Sequence, residues 1–201
     1  MQHFSGTMRF SQLLAVSTFS IFFAACSSAP DQNKQIVSQF HGLLPEMMQN
    51  DAGLFHGISL GMTMDEVKKN VAPGDSMGTE QKDYLEFEGK LAPQKLYDYD
   101  CNFDEKGLKD MTLDIHLKDE KNADSLYLDF KNYFSKRYGA PTETDGTTMW
   151  ISNEGKRPAK IILEEEEDYL YGKLTITFFD KTFDPPSNMS DSLNPMSSPI
   201  P

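Results

Sequence analysis

The sequence predicts an α+β fold, an antiparallel β-sheet with helices on one face. Six segments are predicted to be strands, several of them because apolar and polar residues alternate, as they do in strands with one buried face. Two helices are predicted in the same region, one from a capping box and one from apolar residues at helical spacing. Such clean alternation favours antiparallel pairing, in which one face of the sheet packs and the other meets water. The segments run as a helix and three strands, then the same again, and this order predicts a tandem helix–β–β–β repeat.

Residues 1–25 have the features of a secretory signal peptide. Arg9 supplies a positive charge before an apolar run, residues 13–23, and small residues follow that run. The run is too short to span a membrane, because a spanning helix needs about 20 apolar residues. Translation from Met8 instead of Met1 would give a tidier charged start.

Cys26 directly follows this segment. The four residues Phe23-Ala24-Ala25-Cys26 resemble the lipobox of bacterial lipoproteins. The resemblance implies that Cys26 becomes the lipidated first residue of the mature chain and anchors it to a membrane. Phe23 departs from the usual leucine, and an ordinary secretory signal with a chance cysteine is the alternative. The resemblance to Gram-negative lipoproteins, with serine and not aspartate at position 27, implies that the chain is anchored at the periplasmic face of the outer membrane.

The rest of the chain divides into a tether, a body and a tail. Residues 26–50 are predicted to be a polar tether with a short helix. Residues 51–183 are predicted to form the α+β domain, with similar halves at about 57–118 and 119–183. Residues 184–201 are rich in Ser, Pro, Met and Asn, so we expect them to be disordered.

The body begins with a helix start signal. Thr63 stands three residues before Glu66, the spacing of a capping box, in which each side chain accepts from the other residue's amide. The helix that follows should run to about Asn70 and end before Pro73.

The remaining elements follow from periodicity. A second helix is predicted at Asn122–Tyr138, with Gly139 in a left-handed conformation at its end. One stripe of this helix consists of Ala123, Leu126, Phe130, Tyr133, Phe134 and Arg137. The predicted strands are Asp83–Glu88, Lys95–Phe103, Leu108–Leu117, Thr147–Ser152, Ala159–Glu164 and Tyr169–Phe179.

The start of the body also carries a family resemblance. The segment 57–67 resembles the "G-x-x-x-G-M-T-x-x-E-V" start of small bacterial envelope lipoproteins. These include the small lipoprotein subunit of the outer-membrane β-barrel assembly machine and proteins of the β-lactamase-inhibitor-like fold. The resemblance implies helices packed on one face of an antiparallel sheet. The assembly subunit has one smaller unit, whereas this chain is predicted to be doubled.

Composition and residue spacing argue against several classes of function. The formal net charge of -12 argues against binding to nucleic acid, which is itself negatively charged. The four histidines (His3, His41, His56 and His116) are scattered without metal-ligand spacing, and His56 is predicted to be a loop residue. The acidic run 164–168 is predicted to be a solvated hairpin tip, with a weak cation site as the alternative. Cys101 is predicted to be a buried strand residue. We therefore predict no catalytic residue, no metal and no cofactor.

Three aromatic residues are candidates for partner contact. Trp150 is a lone large aromatic on a strand, and Tyr97 and Tyr99 share one face of another strand. Aromatic side chains are common at the energetic centres of protein interfaces. Core packing against the long helix is the competing interpretation for Trp150.

Together these features predict a non-enzymatic envelope lipoprotein that acts through protein–protein contacts, as an assembly or inhibitory module. The protein would be anchored to a membrane by the lipid on Cys26, and its protein partner is unidentified. The alternative is a periplasmic lipoprotein that binds a small ligand or a cation. A hydrolase would require histidines or carboxylates to converge on Cys101 or a serine.

Overall fold

A computed structural model describes residues 36–49, 52–92, 95–144, 147–167 and 172–182. They belong to one compact unit, Asp31–Pro201. The predicted signal peptide, Cys26 and the predicted tail lie outside the described residues.

Three helices and eight strands have both ends within the described residues. The helices are α1 (Leu43–Met47), α2 (Met64–Lys69) and α3 (Glu120–Tyr138). The strands are β1 (Ser76–Gln81), β2 (Tyr84–Ala92), β3 (Lys95–Asp104), β4 (Gly107–Leu117), β5 (Thr142–Thr144), β6 (Thr147–Ser152), β7 (Ala159–Glu167) and β8 (Gly172–Asp180).

All eight strands form one antiparallel sheet in the order β1-β2-β3-β4-β8-β7-β6-β5. Each half is a four-stranded meander, and the two meanders meet where β4 pairs with β8. The predicted α+β class with an antiparallel sheet is therefore confirmed, although sheet predominates. The helix–β–β–β repeat is not confirmed, because each half has four strands and the helices differ, with 6 residues in α2 and 19 in α3.

The two strands that the sequence pattern did not predict are the edge strands β1 and β5. Every residue of β5 and all but one of β1 are exposed, so neither strand alternates between apolar and polar residues. A register shift between Met77 and Glu80 interrupts the pairing of β1 with β2. Irregular, polar edges of this kind are how sheets avoid pairing with other chains.

The acidic run is placed differently from the prediction. Strand β7 continues through Glu167, so Glu164–Glu167 belong to the strand and pair with β8 instead of forming a hairpin tip. Glu164 and Glu165 are exposed on this strand. Pairing with β8 supplies the backbone hydrogen bonds that extend the strand beyond the apolar residues.

Helix α3 covers one half of the buried sheet face. It contacts β4, β6, β7 and β8. The ring of Phe134 lies 5.3 Å from that of Trp150 on β6 and 6.3 Å from that of Phe178 on β8. The predicted apolar stripe of α3 is confirmed, since Ala123, Leu126, Phe130, Tyr133 and Phe134 are buried. Gly139 at its end has the predicted positive φ, 94°.

Residues 43–49 and 52–62, here called the strap, cover the other half of the same face. The Phe55 ring lies 6.0 Å from that of Tyr97 and 5.5 Å from that of Tyr99, both on β3. Leu44, Met47, Leu54, Ile58 and Leu60 of the strap are fully buried. The strap and α3 therefore complete one hydrophobic core on one side of the sheet.

Two glycines allow the strap to reach the sheet. The amide of Gly61 donates to Leu108 at 2.8 Å, and that of Leu108 donates to Met62 at 2.7 Å. A Cβ on Gly107, whose φ is +101°, would lie 2.6 Å from the Gly61 oxygen. Gly107 is thus required both by its turn, as predicted, and by the approach of the strap.

The predicted capping box at α2 is confirmed. The Glu66 amide donates to Thr63 Oγ1 at 3.3 Å, and the Thr63 amide donates to Glu66 Oε2 at 2.8 Å. Hydrogen bonds from Lys156 and from the Thr63 amide lower the pKa of Glu66 to about 2.

We expect Thr63→Ala to lower the free energy of unfolding by about 1 kcal/mol, because the first turn of α2 loses the oxygen that accepts from Glu66. Chemical denaturation would measure the loss. Thr63→Ser keeps this oxygen and should retain most of the stability. An equal loss in both variants would contradict a capping role.

Candidate functional site

The three aromatic residues singled out in the sequence are buried. Trp150, Tyr97 and Tyr99 are 2%, 3% and 0% exposed. Trp150 packs against α3, as the core interpretation predicted. Partner contact at these residues stays a prediction, and none of the three side chains faces solvent in the described part of the chain.

The two tyrosines instead bind a buried carboxylate. The hydroxyl of Tyr97 donates to Asp75 Oδ1 at 2.6 Å, and that of Tyr99 donates to Asp75 Oδ2 at 3.1 Å. The Asp75 side chain is 3% exposed. Burial, together with this carboxylate, raises the pKa of both hydroxyls, so they remain donors. The ring of Tyr97 lies over Gly89 so closely that a Cβ there would be 2.0 Å from its Cζ.

His56 completes this cluster from the strap. Phe55–Ile58 form a tight turn, in which the Ile58 amide donates to the Phe55 oxygen at 2.7 Å. His56 and Gly57 have φ values of 49° and 79°, as a type I′ turn requires. The imidazole Nε2 donates to the Met47 oxygen, and Nδ1 lies 3.6 Å from Asp75 Oδ2. His56 is thus a turn residue, as predicted, but a buried one.

Asp75 was not recognised in the sequence as part of a site. It lies just after Pro73-Gly74, where an aspartate is common in turns. Its hydrogen-bond partners Tyr97 and Tyr99 are 22 and 24 residues away. The available signals were weak: tyrosines on the buried positions of β3, whose hydroxyls need partners, and a histidine before glycine.

A second polar cluster, separate from the one around Asp75, joins α3 to the strap. The Arg137 side chain is 1% exposed and forms an ion pair with Glu154. It also donates to the Gly53 oxygen at 2.6 Å and to the Tyr133 hydroxyl at 2.7 Å. Arg137 can lie on the apolar stripe of α3 although it is charged, because its guanidinium is paired with buried and half-buried groups. Its position on the stripe does not expose it to water.

The opposite face of the sheet, here called the outer face, carries many carboxylates. On β2, β3 and β4 these are Glu86, Glu88, Asp98, Asp100, Asp110 and Asp114. Some are compensated: Asp98 pairs with His116 at 3.0 Å, and Asp114 with Lys173 at 3.4 Å. Asp100 accepts a hydrogen bond from Tyr84 at 2.6 Å.

Several outer-face carboxylates stand directly opposite one another. Glu86 pairs in register with Asp100, Glu88 with Asp98, and Asp98 with Asp114. Directly opposed like charges weaken a sheet. Burial raises the pKa of Asp98 and Asp100, and neighbouring carboxylates add to the effect in both. The outer face therefore costs stability at neutral pH.

Other candidate chemistries have little support among the described residues. Cys101 is buried, as predicted, and burial raises the pKa of its thiol, so it holds its proton. No group of three His, Cys, Asp or Glu side chains in the described segments is arranged to hold a metal ion. No helix in those segments is long and apolar enough to cross a membrane.

Comparison with known proteins gives no relative. No family model matches the chain, and neither the curated proteins nor the solved structures contain a significant match to it.

Replacing Arg137 with lysine should lower the free energy of unfolding by about 2 kcal/mol. Lysine keeps the charge but lacks the planar fork, so it leaves buried acceptors such as the Gly53 oxygen unpaired. Denaturation would measure the change. The matched control is Lys121→Arg, at an exposed position of the same helix. It should stay within about 0.5 kcal/mol of the parent. Equal effects would show that Arg137 is not a special contact.

Asp100→Asn should stabilise the protein by about 0.5 kcal/mol at pH 7, because it removes a charge opposite Glu86. The amide oxygen can still accept from Tyr84. A raised pKa in the folded state means that stability falls as pH rises above the ordinary carboxyl value of about 4. The advantage should therefore shrink on acidification toward pH 4.

Thermal unfolding from pH 4 to 7 would test this. Glu105→Gln, in the exposed turn before β4, changes the net charge equally and serves as the control. A similar gain in the control would attribute the effect to net charge alone.

Proposed function

We propose that the protein is a lipid-anchored lipoprotein of the bacterial cell envelope that acts through protein–protein contacts. In this proposal Cys26 carries the lipid, and the folded body faces the periplasm from the outer membrane. It works as an assembly or inhibitory module and not as an enzyme. The lipobox-like Phe23-Ala24-Ala25-Cys26 after an apolar run supports the anchor.

The main support for a binding role is that α3 and the strap pack on the same side of the sheet. Phe134 of α3 and Phe55 of the strap both contact residues of the buried face. The carboxylate-rich outer face has no described helix packed against it. Opposed like charges lower stability, and proteins commonly retain such unfavourable features at functional surfaces.

The charge of the outer face favours a protein partner whose surface carries lysine and arginine. Opposite potentials speed the encounter of two proteins and fix their orientation. They also disfavour a second copy of this chain, since its outer face would carry the same charges.

We further infer that the two meanders are the two units of the tandem repeat, each extended by a fourth strand. The order of elements supports this, because α2 precedes β1–β4 and α3 precedes β5–β8. Such doubling is consistent with the resemblance to the β-lactamase-inhibitor-like fold.

Mass spectrometry of the mature protein from bacterial envelopes tests the anchor. We expect a chain that begins at Cys26 and carries covalently bound acyl chains. Cys26→Ser should abolish acylation and release the protein from the membrane fraction. An unmodified Cys26, or a mature chain that begins elsewhere, would contradict the proposal.

Photo-crosslinking in intact envelopes tests the binding face. A photoreactive residue at Thr112, on the outer face of β4, should give one dominant protein adduct. The same residue at Leu128, which is 56% exposed on α3, is the matched control and should not give that adduct. Identical adducts from both positions, or none from Thr112, would count against the outer face as the contact surface.

A further inference from the structure

The arrangement of hydrogen-bonding groups around His56 restricts the protonation state of its imidazole. Nε2 faces the Met47 oxygen, and a carbonyl oxygen can only accept, so Nε2 carries a hydrogen. In a neutral imidazole Nδ1 would then be an acceptor. Nδ1 is buried without a hydrogen-bond partner and lies 3.6 Å from Asp75 Oδ2, which is also an acceptor.

The Asp75 carboxylate needs a counter-charge. It is buried, and its two tyrosine partners supply hydrogen bonds but no positive charge. A buried charge is costly unless it is paired. Among the described residues, His56 is the cationic group within ion-pairing distance of Asp75.

The backbone of His56 is a second, independent observation. Its φ of 49° is positive although the residue is not glycine, and this backbone conformation is strained for most side chains. Histidine tolerates this conformation better than most residues do. The turn places the imidazole against Phe55, with ring centroids 3.8 Å apart, and between Met47 and Asp75.

We propose that His56 is a buried imidazolium and that its ion pair with Asp75 locks the strap onto the sheet. The pair joins α1, through the Met47 oxygen, to the segment before β1. Through the Asp75 carboxylate it also reaches Tyr97 and Tyr99 on β3. These are the polar groups that face the imidazole and its partner, and the lock does not depend on the proposed lipid anchor.

Removing the imidazole would leave the Asp75 carboxylate buried with its two tyrosine hydrogen bonds and without a counter-charge. It would also remove the hydrogen bond from Nε2 to the Met47 oxygen. The strap should then be held less firmly on the sheet.

NMR of the full chain labelled with ¹⁵N-histidine tests the charge state directly. His41 is exposed and serves as an internal reference. We expect His56 to show the signature of two protonated ring nitrogens at pH 7. A His56 signature of the neutral Nε2–H form at pH 7 would overturn the proposal.

Thermal denaturation at pH 7 tests the lock. His56→Asn removes the imidazole but suits the positive φ. His116→Asn is the matched control, since His116 pairs with Asp98 on the outer face. The control should unfold within a few degrees of the parent, and His56→Asn should unfold at a clearly lower temperature. Equal Tm values in all three would overturn the lock, and if His56→Asn does not fold, the NMR result on the parent decides.

Discussion

The buried guanidinium of Arg137 fixes how the sheet is covered. It extends from α3, which lies over β4, β6, β7 and β8, and donates to the Gly53 oxygen in the strap. It also pairs with Glu154, which lies between β6 and β7. A planar guanidinium can hold several partners at once, because its five donors point in fixed directions. One side chain thus holds helix, strap and loop over the same face. The other face is left without a described helix.

The central part of the fold could be predicted because burial leaves a period in the sequence. Each of the six predicted strands overlaps a strand of the sheet, and the buried residues that alternate along it lie on the face that α3 and the strap cover. The edge strands β1 and β5 could not be found in this way, since they are exposed and their pairing depends on backbone groups. The extent of β7 was underestimated for a related reason. Its last four residues are glutamates, which are held in the sheet by β8 and not by burial.

The polar cluster could be predicted only in part, because its members meet through tertiary structure. Tyr97 and Tyr99 were singled out as candidates for partner contact, but the sequence pattern does not show that their hydroxyls meet Asp75. His56 was assigned correctly to a loop, yet a loop residue is usually solvated, whereas the side chain of His56 is fully buried. The outer-face carboxylates were visible as the polar positions of β2–β4. Their mutual opposition appears only once the strand register is known.

The meeting of the two meanders at a single strand pair has a consequence for folding. Within each meander, successive strands pair with one another, and hairpins of this kind form in about 1–10 μs. The β4–β8 pairing joins distant residues, such as Asp114 and Thr175, which are 61 apart. The entropy of closing that loop must be overcome before the pairing stabilises the chain. Until it does, each meander has an unpaired edge, β4 in one and β8 in the other. Either edge can accept the complementary strand of a second molecule, so this seam is where two copies would exchange halves.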